Sequence, residues 1–197
     1  MISELKSIFK SEEINLKSEF IEILVSNKNL YTLIKELKSN QKFSFNQLID
    51  ITAIDYPSRQ KRFEVVYIFL SMIFNQRVVV KTHVEEGGAI ESITPIHISA
   101  DWFERECYDL FGIEFLNHPD LRRILTDYNF EGHPLRKDFP LTGHTEVRYD
   151  ELEKKVIYEP VKLAQEYRNL DYTSPWEGIP NTLSGDEKVL KDDDEGN

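Results

Sequence analysis

Apolar positions along this chain repeat with two different periods, and the switches between them outline a layered fold. From Ile2 to Lys10, the residues Ile2, Leu5, Ile8 and Phe9 follow helical spacing and predict a short first helix. In "SEFIEILVS", Ile21, Ile23 and Val25 alternate onto one face, which predicts a strand. "NKNLYTLIKELKSN" returns to the helical period with Leu30, Leu33, Ile34 and Leu37, and Asn27 or Asn29 stands where a cap is needed. "FNQLIDITAIDYPS" is a further strand candidate, ended by Asp55-Tyr56-Pro57. "RFEVVYIFLSMIF" is apolar on both alternating faces, the pattern of a central strand covered on both sides. A turn near Asn75-Gln76 joins it to "RVVVKTHV", where Val78, Val80 and Val84 share a face and Lys81 and His83 take the other. Two strands joined this tightly read as a hairpin, and "EEGGAIES" after them reads as a flexible turn.

Ser99 to Phe111 is the next predicted helix. Ser99 can cap it, Asp101 sits in the first turn where the helix dipole favours an anion, and Gly112 suits the position after its end. Phe103, Cys107, Leu110 and Phe111 mark its expected buried side. The order implies an α+β fold, a two-layer sandwich of helices on a mostly antiparallel sheet, over residues 1–115. Periodicity then fades, and Pro119, Pro134, Pro140, Pro160 and Pro175 interrupt the remainder of the chain, although "EVRYDELEKKVIYEPVKL" could supply short strands. Residues 116–180 therefore read as an extended partner-binding tail, since a long segment without regular structure usually serves function or a partner. Residues 181–197 are acidic and are expected to be disordered.

Composition narrows the function classes. The chain has 197 residues, enough for one core, since a body of about 150 residues buries roughly 70% of its surface. A net charge of −11 argues against a general binder of phosphate backbones. No apolar run reaches the 18 or more residues that span a bilayer. "MISELKSIFKSEEINL" lacks arginine and carries Glu4, Glu12 and Glu13, unlike a signal or transit peptide, so the chain is expected to stay in the compartment where it is made. The single Cys107 cannot form an internal disulfide or hold an iron–sulfur cluster alone.

Several residue groups invite a chemical reading. Glu106 and Asp109 lie three apart on one helical face, as a general acid/base pair would, but no nucleophile motif accompanies them. They read better as a solvated face or as partners for Arg122, Arg123 or Arg136, with at least one of Arg122 and Arg123 expected buried against Glu106 or Asp109. His97, His118, His133 and His144 stand eleven or more residues apart, without short metal-ligand spacing, and read as structural or interface residues. Cys107 reads as a small core residue, and the basic turn Arg59 to Arg62 as solvated. From His118 to Arg148, five Lys/Arg balance five Asp/Glu in an acidic chain. Arginine suits bidentate ion pairs and is enriched with aromatics at interfaces, so this segment reads as a strap laid along another protein.

Glu104-Arg105-Glu106, Asp109-Leu110-Phe111 with Gly112, His118, and Arg122-Arg123-Ile124 together resemble the signature of one family. It is the C subunit of the proton-translocating NADH:quinone oxidoreductase (respiratory complex I), the family that includes mitochondrial-encoded NADH dehydrogenase subunit 9. "DYPSRQKRFEVVY", "EGHPLRKDFPLTGHTEVRYD" and "SPWE" are similar to the family as well, so the resemblance covers roughly Leu48 to Glu177. It implies a non-catalytic subunit of the peripheral arm with no cofactor of its own, FMN and iron–sulfur clusters being held by other subunits. It implies subunits D and B as partners, reached through a tail interface that includes His133, Pro134, Arg136, Asp138, Arg148 and Trp176. It also implies a place on the cytoplasmic side of a bacterial inner membrane, or the matrix side of the mitochondrial one. The alternatives are the equivalent subunit of a related membrane-bound hydrogenase or ferredoxin- or F420-dependent dehydrogenase, and a stand-alone acid/base enzyme.

Overall fold

The strongest β pattern in the chain forms the middle of its sheet. In the computed structural model, which describes Leu5, Phe9, residues 13–17 and residues 20–165, the elements run in a simple order. They are β1 (Glu13–Leu16), β2 (Phe20–Leu24), α1 (Asn27–Ser39), β3 (Gln47–Asp55), β4 (Phe63–Ser71), β5 (Gln76–Val84) and β6 (Ala89–Glu91), then α2 (Ala100–Phe111), β7 (Glu114–Leu116), β8 (Thr145–Asp150) and β9 (Lys155–Pro160). Five strands pair in the order β1-β2-β5-β4-β3. β4 and β5 form the expected hairpin, closing from Ser71↔Gln76 through a turn in which Asn75 has φ 48°.

The sheet is mostly antiparallel, as expected, with one exception: β2 pairs parallel to β5, because α1 carries the chain across the sheet from β2 to β3 and the antiparallel pairs β3–β4 and β4–β5 then restore the direction. Ile23, Val80, Tyr67 and Ile51 line up across four strands and are fully buried beneath Leu30, Leu33, Ile34 and Leu37 of α1 and Ala100 and Cys107 of α2. Cys107 is thus a core residue, its thiol donating to the Ile51 carbonyl at 3.5 Å and pushed up in pKa by burial. Both helices cover this one face. β4 is covered on both faces as its pattern predicts, although on the outer face by neighbouring side chains: Glu64 and Val66 are buried there and Ile68 and Leu70 half-buried, with Lys81 and His83 closing on Glu64.

Other departures have local causes. β1 has no counterpart in the sequence pattern; it is a four-residue edge strand that buries Ile14 and leaves Leu16 exposed, too short for a periodic signal. The "EEGGAIES" turn ends in β6, whose three residues pair in parallel with β7 and fix the exit from α2. Ser26, not Asn27 or Asn29, occupies the N-cap of α1, and Asn27 donates instead to the Ala89 carbonyl at 2.8 Å. Ser99 stands at the N-cap of α2 but is already helical and makes no side-chain cap bond. Of the expected first helix, Leu5 and Phe9 are described, with the Phe9 amide donating to the buried Leu5 carbonyl at 2.8 Å, and the rest lies outside the described residues. Trp176, the tail beyond residue 165 and the acidic C-terminus also lie outside them. No described helix is long and apolar enough to cross a membrane.

Candidate functional site

α2 carries a wider buried face than its apolar residues predict. Phe103 and Leu110, expected inside, are half-buried, while Glu104, Arg105 and Asp109 are buried. A buried charge is tolerated only when paired and hydrogen-bonded, so the partners of these three define what α2 does.

Asp109 is satisfied almost completely. Its Oδ2 accepts the backbone amides of Ile124 at 3.0 Å, Leu125 at 2.8 Å and Thr126 at 2.9 Å. Its Oδ1 accepts Arg123 Nη1 at 2.8 Å and the Thr126 hydroxyl. Burial alone would push this carboxyl up; the Thr126 hydroxyl and the three amides outweigh it and hold it well below the usual carboxylate range. One turn earlier, Arg105 donates to the carbonyls of Arg122 at 3.2 Å and Arg123 at 3.3 Å. Of the arginine pair expected to be buried against an acid, Arg123 does pair with the buried Asp109 but is itself only half-buried, whereas Arg122 is exposed and pairs with Asp120 at 2.8 Å. Glu106, three residues from Asp109, is exposed and makes no part of this arrangement.

The last turn of α2 is capped by the same downstream segment. Of its four terminal carbonyls, Tyr108 accepts from Gly112, Asp109 from His133 Nδ1 at 2.8 Å, Leu110 from the Leu135 amide at 3.1 Å and Phe111 from Arg136 Nε at 2.6 Å. Gly112 is left-handed at φ 74°, as its place after the helix predicts, and a Cβ there would sit 2.5 Å from Arg136 and 2.6 Å from His133. Pro134, half-buried, sets the backbone between these two anchors.

A second anchor lies at the edge of the sheet, and it corrects the reading of the basic turn at Arg62 alone, since Arg59, Gln60 and Lys61 are exposed as expected. Arg62 is buried and grips Asp55 bidentately at 2.8 and 2.9 Å, while Arg59 stacks over Tyr56 at 3.7 Å. Arg62 also reaches Glu86 and Asp138, each at 3.0 Å; Arg136 pairs with Glu86 at 2.8 Å; and the Lys137 amide donates to Asp55 at 2.7 Å. The bond to Arg62 lowers the Asp55 pKa against the effect of burial, and the amide assists. Asp55 and Arg62 lie in the family-like stretch "DYPSRQKRFEVVY" but are not singled out within it, Glu86 and Thr126 carry no motif, and the β3–β4 register, which pairs Asp55 with Phe63, sets Arg62 beside Asp55.

Glu104 serves the inner side of the same helix. Its carboxylate accepts the Ile93 amide at 2.7 Å and the Ser92 hydroxyl at 2.6 Å, and burial raises its pKa to about 7. His118 is buried nearby, accepting the Asp120 amide on Nδ1 at 3.1 Å and so carrying its proton on Nε2, which donates to the Asp101 carbonyl at 3.1 Å. Arg148 sits apart, within the exposed β8–β9 hairpin, paired with Glu159 at 3.1 Å. No group of three or more His, Cys, Asp or Glu among the described residues is arranged to hold a metal ion.

Comparison with known proteins gives this geometry its setting. Residues 23–145 match the family described as the 30 kDa subunit of respiratory-chain NADH dehydrogenase. The chain is 59% identical to the C subunit of NADH-quinone oxidoreductase from Ruegeria pomeroyi, over 83% of this chain and 82% of the relative. It is 60% identical to the protein of the same name from Cereibacter sphaeroides, over 80% and 78% respectively. Its fold is also similar to a chain in the membrane-bound sulfane sulfur reductase, an archaeal respiratory membrane complex, with a TM-score of 0.61 at 23% identity over 71% of this chain and 85% of that one.

Proposed function

The chain belongs to the family of 30 kDa subunits of respiratory-chain NADH dehydrogenase, and from that premise we propose that it is a non-catalytic subunit of the peripheral arm of NADH:quinone oxidoreductase. Its task is to hold neighbouring subunits in place. NADH oxidation, the FMN and iron–sulfur clusters and quinone reduction lie in other subunits, and subunits D and B are its immediate partners. It sits on the cytoplasmic face of a bacterial inner membrane, or the matrix face in an organelle.

One observation carries the reading. Two of the three buried charges of α2, Arg105 and Asp109, are taken up by this chain's own strap, residues 117–144, chiefly by its backbone, and the third, Glu104, is bonded by Ser92 and Ile93. Asp109 in particular has no free oxygen with which to take a proton and is held ionised, so a general acid or base role with Glu106 has no working partner. The arrangement makes a stiff rim from an otherwise irregular segment, as a docking surface requires. A tagged chain purified from detergent-solubilised membranes should bring subunits B and D with it; recovery of the chain alone would overturn the proposal.

A further inference from the structure

The end of the strap and the β8–β9 hairpin enclose a cavity of about 310 Å³ that the anchors on α2 do not use. Phe130 and Phe139 wall it with ring centroids 5.8 Å apart, His144 stands edge-on to Phe139 at 5.5 Å, and the largely exposed Tyr158 lines another side. Phe139 is held in place over Gly132, where a Cβ would lie 2.9 Å from its ring. Two carboxylates, Asp127 and Glu131, line the same space. The Tyr158 hydroxyl donates to Asp127 Oδ2 at 2.7 Å and orients it, while Glu131 has no ion-pair partner among the described residues.

Aromatic faces and carboxylates attract the same ligand, a cation. The volume lies at the bottom of the range of small-molecule pockets, which begins at roughly 300 Å³, and so suits one side chain better than a cofactor. Flat rings beside two carboxylates favour a planar guanidinium over a compact ammonium, because the guanidinium can stack and pair bidentately at once. Phe130 already takes the Arg123 guanidinium at 5.9 Å from its centroid, so this chemistry is in use next door. We infer that the cavity is a socket for a single arginine side chain presented by a neighbouring subunit, with Asp127 and Glu131 pairing to it and Phe130, Phe139 and Tyr158 enclosing it. The inference rests on the reading of the chain as a subunit of a larger complex and adds the chemistry of one contact.

The photo-crosslinker p-benzoylphenylalanine placed at Thr145, on the rim of the cavity, tests it in the assembled complex. The expected product joins this chain to an arginine-bearing segment of another subunit, and its yield drops at least tenfold when Asp127→Asn and Glu131→Gln are combined. A crosslink to this chain's own residues after 165, to a partner segment without arginine, or none in an intact complex would overturn the socket and leave the subunit reading standing. Titration of the full-length chain with Nα-acetyl-arginine amide and its neutral citrulline counterpart judges the socket even if the chain fails to co-purify. Resonances of Phe130, Phe139 and Tyr158 should shift with arginine and not with citrulline, and equal shifts with both would contradict the inference.

Discussion

Arg105 and Asp109, one turn apart on α2, hold the same piece of strap by opposite chemistry. The guanidinium donates to the carbonyls of Arg122 and Arg123, and the carboxylate accepts the amides of Ile124, Leu125 and Thr126. Together they take up backbone groups on five successive residues that would otherwise require water or regular structure. An irregular segment is thereby given a fixed shape without a core of its own.

Asp109→Ala strands Arg123 and three backbone amides at once. Removing one partner of a buried pair costs about 3–5 kcal/mol, which for a chain of this size lowers Tm by on the order of 10 °C. Thermal unfolding of the purified chain checks this, and Glu106→Ala, at an exposed position, should leave Tm within about 1–2 °C of wild type.

Gly112→Ala should loosen the strap at the helix end. The left-handed backbone costs a non-glycine residue about 1–2 kcal/mol, and the new Cβ meets both His133 and Arg136. Hydrogen exchange at the Leu135 amide, which donates to the Leu110 carbonyl, is expected to speed up more than exchange in β4.

Arg62→Lys cannot reproduce the bidentate grip on Asp55 or reach Glu86 and Asp138 in the same fork. It should destabilise the chain, and Arg62→Ala more so, by about 3–5 kcal/mol. In denaturant titrations, Asp55→Asn combined with Arg62→Ala should cost less than the sum of the two changes.

Glu104 and Asp109 should shape stability against pH in opposite senses. The Glu104 pKa is raised from 4.5 to about 7 in the folded chain, so its favourable contribution is complete below about pH 4.5 and is lost as pH rises to about 7. That loss amounts to about 3 kcal/mol. The folded Asp109 pKa is depressed, so its contribution is present above the ordinary carboxylate pKa of 3.8 and disappears as pH falls below it. Glu104→Gln should flatten the decline between pH 4.5 and 7, as read from denaturant midpoints at each pH.

The hairpin β4–β5, helix α1 and the capping glycine of α2 were legible because each belongs to an element that buries residues at a regular period over nine or more positions. β1, β6 and β7 were not, since three or four residues carry no period and their pairing is decided at long range. Within the site, an ion pair between Glu106 or Asp109 and a downstream arginine was expected, without a choice among them, and the structure makes it Asp109 with Arg123. The burial of Glu104, Arg105 and Arg62 was not, because a hydrophobic pattern assigns such residues to solvent and their partners are backbone groups or acids supplied from distant segments. In sequence Asp109 reads together with Glu106, and only the structure separates the buried acid from the exposed one.

If the buried charges of α2 build a docking surface and perform no chemistry, assembly and turnover must respond separately to their loss. The deciding measurement is NADH:quinone reductase turnover per assembled complex, set beside the amount of complex assembled, in membranes carrying Asp109→Asn or Glu106→Gln. Asp109→Asn should lower the amount assembled several-fold while turnover per complex stays at the wild-type value, and Glu106→Gln should leave turnover per complex unchanged. Complex assembled at the wild-type level, with turnover lost in either variant, would contradict a purely structural role for α2.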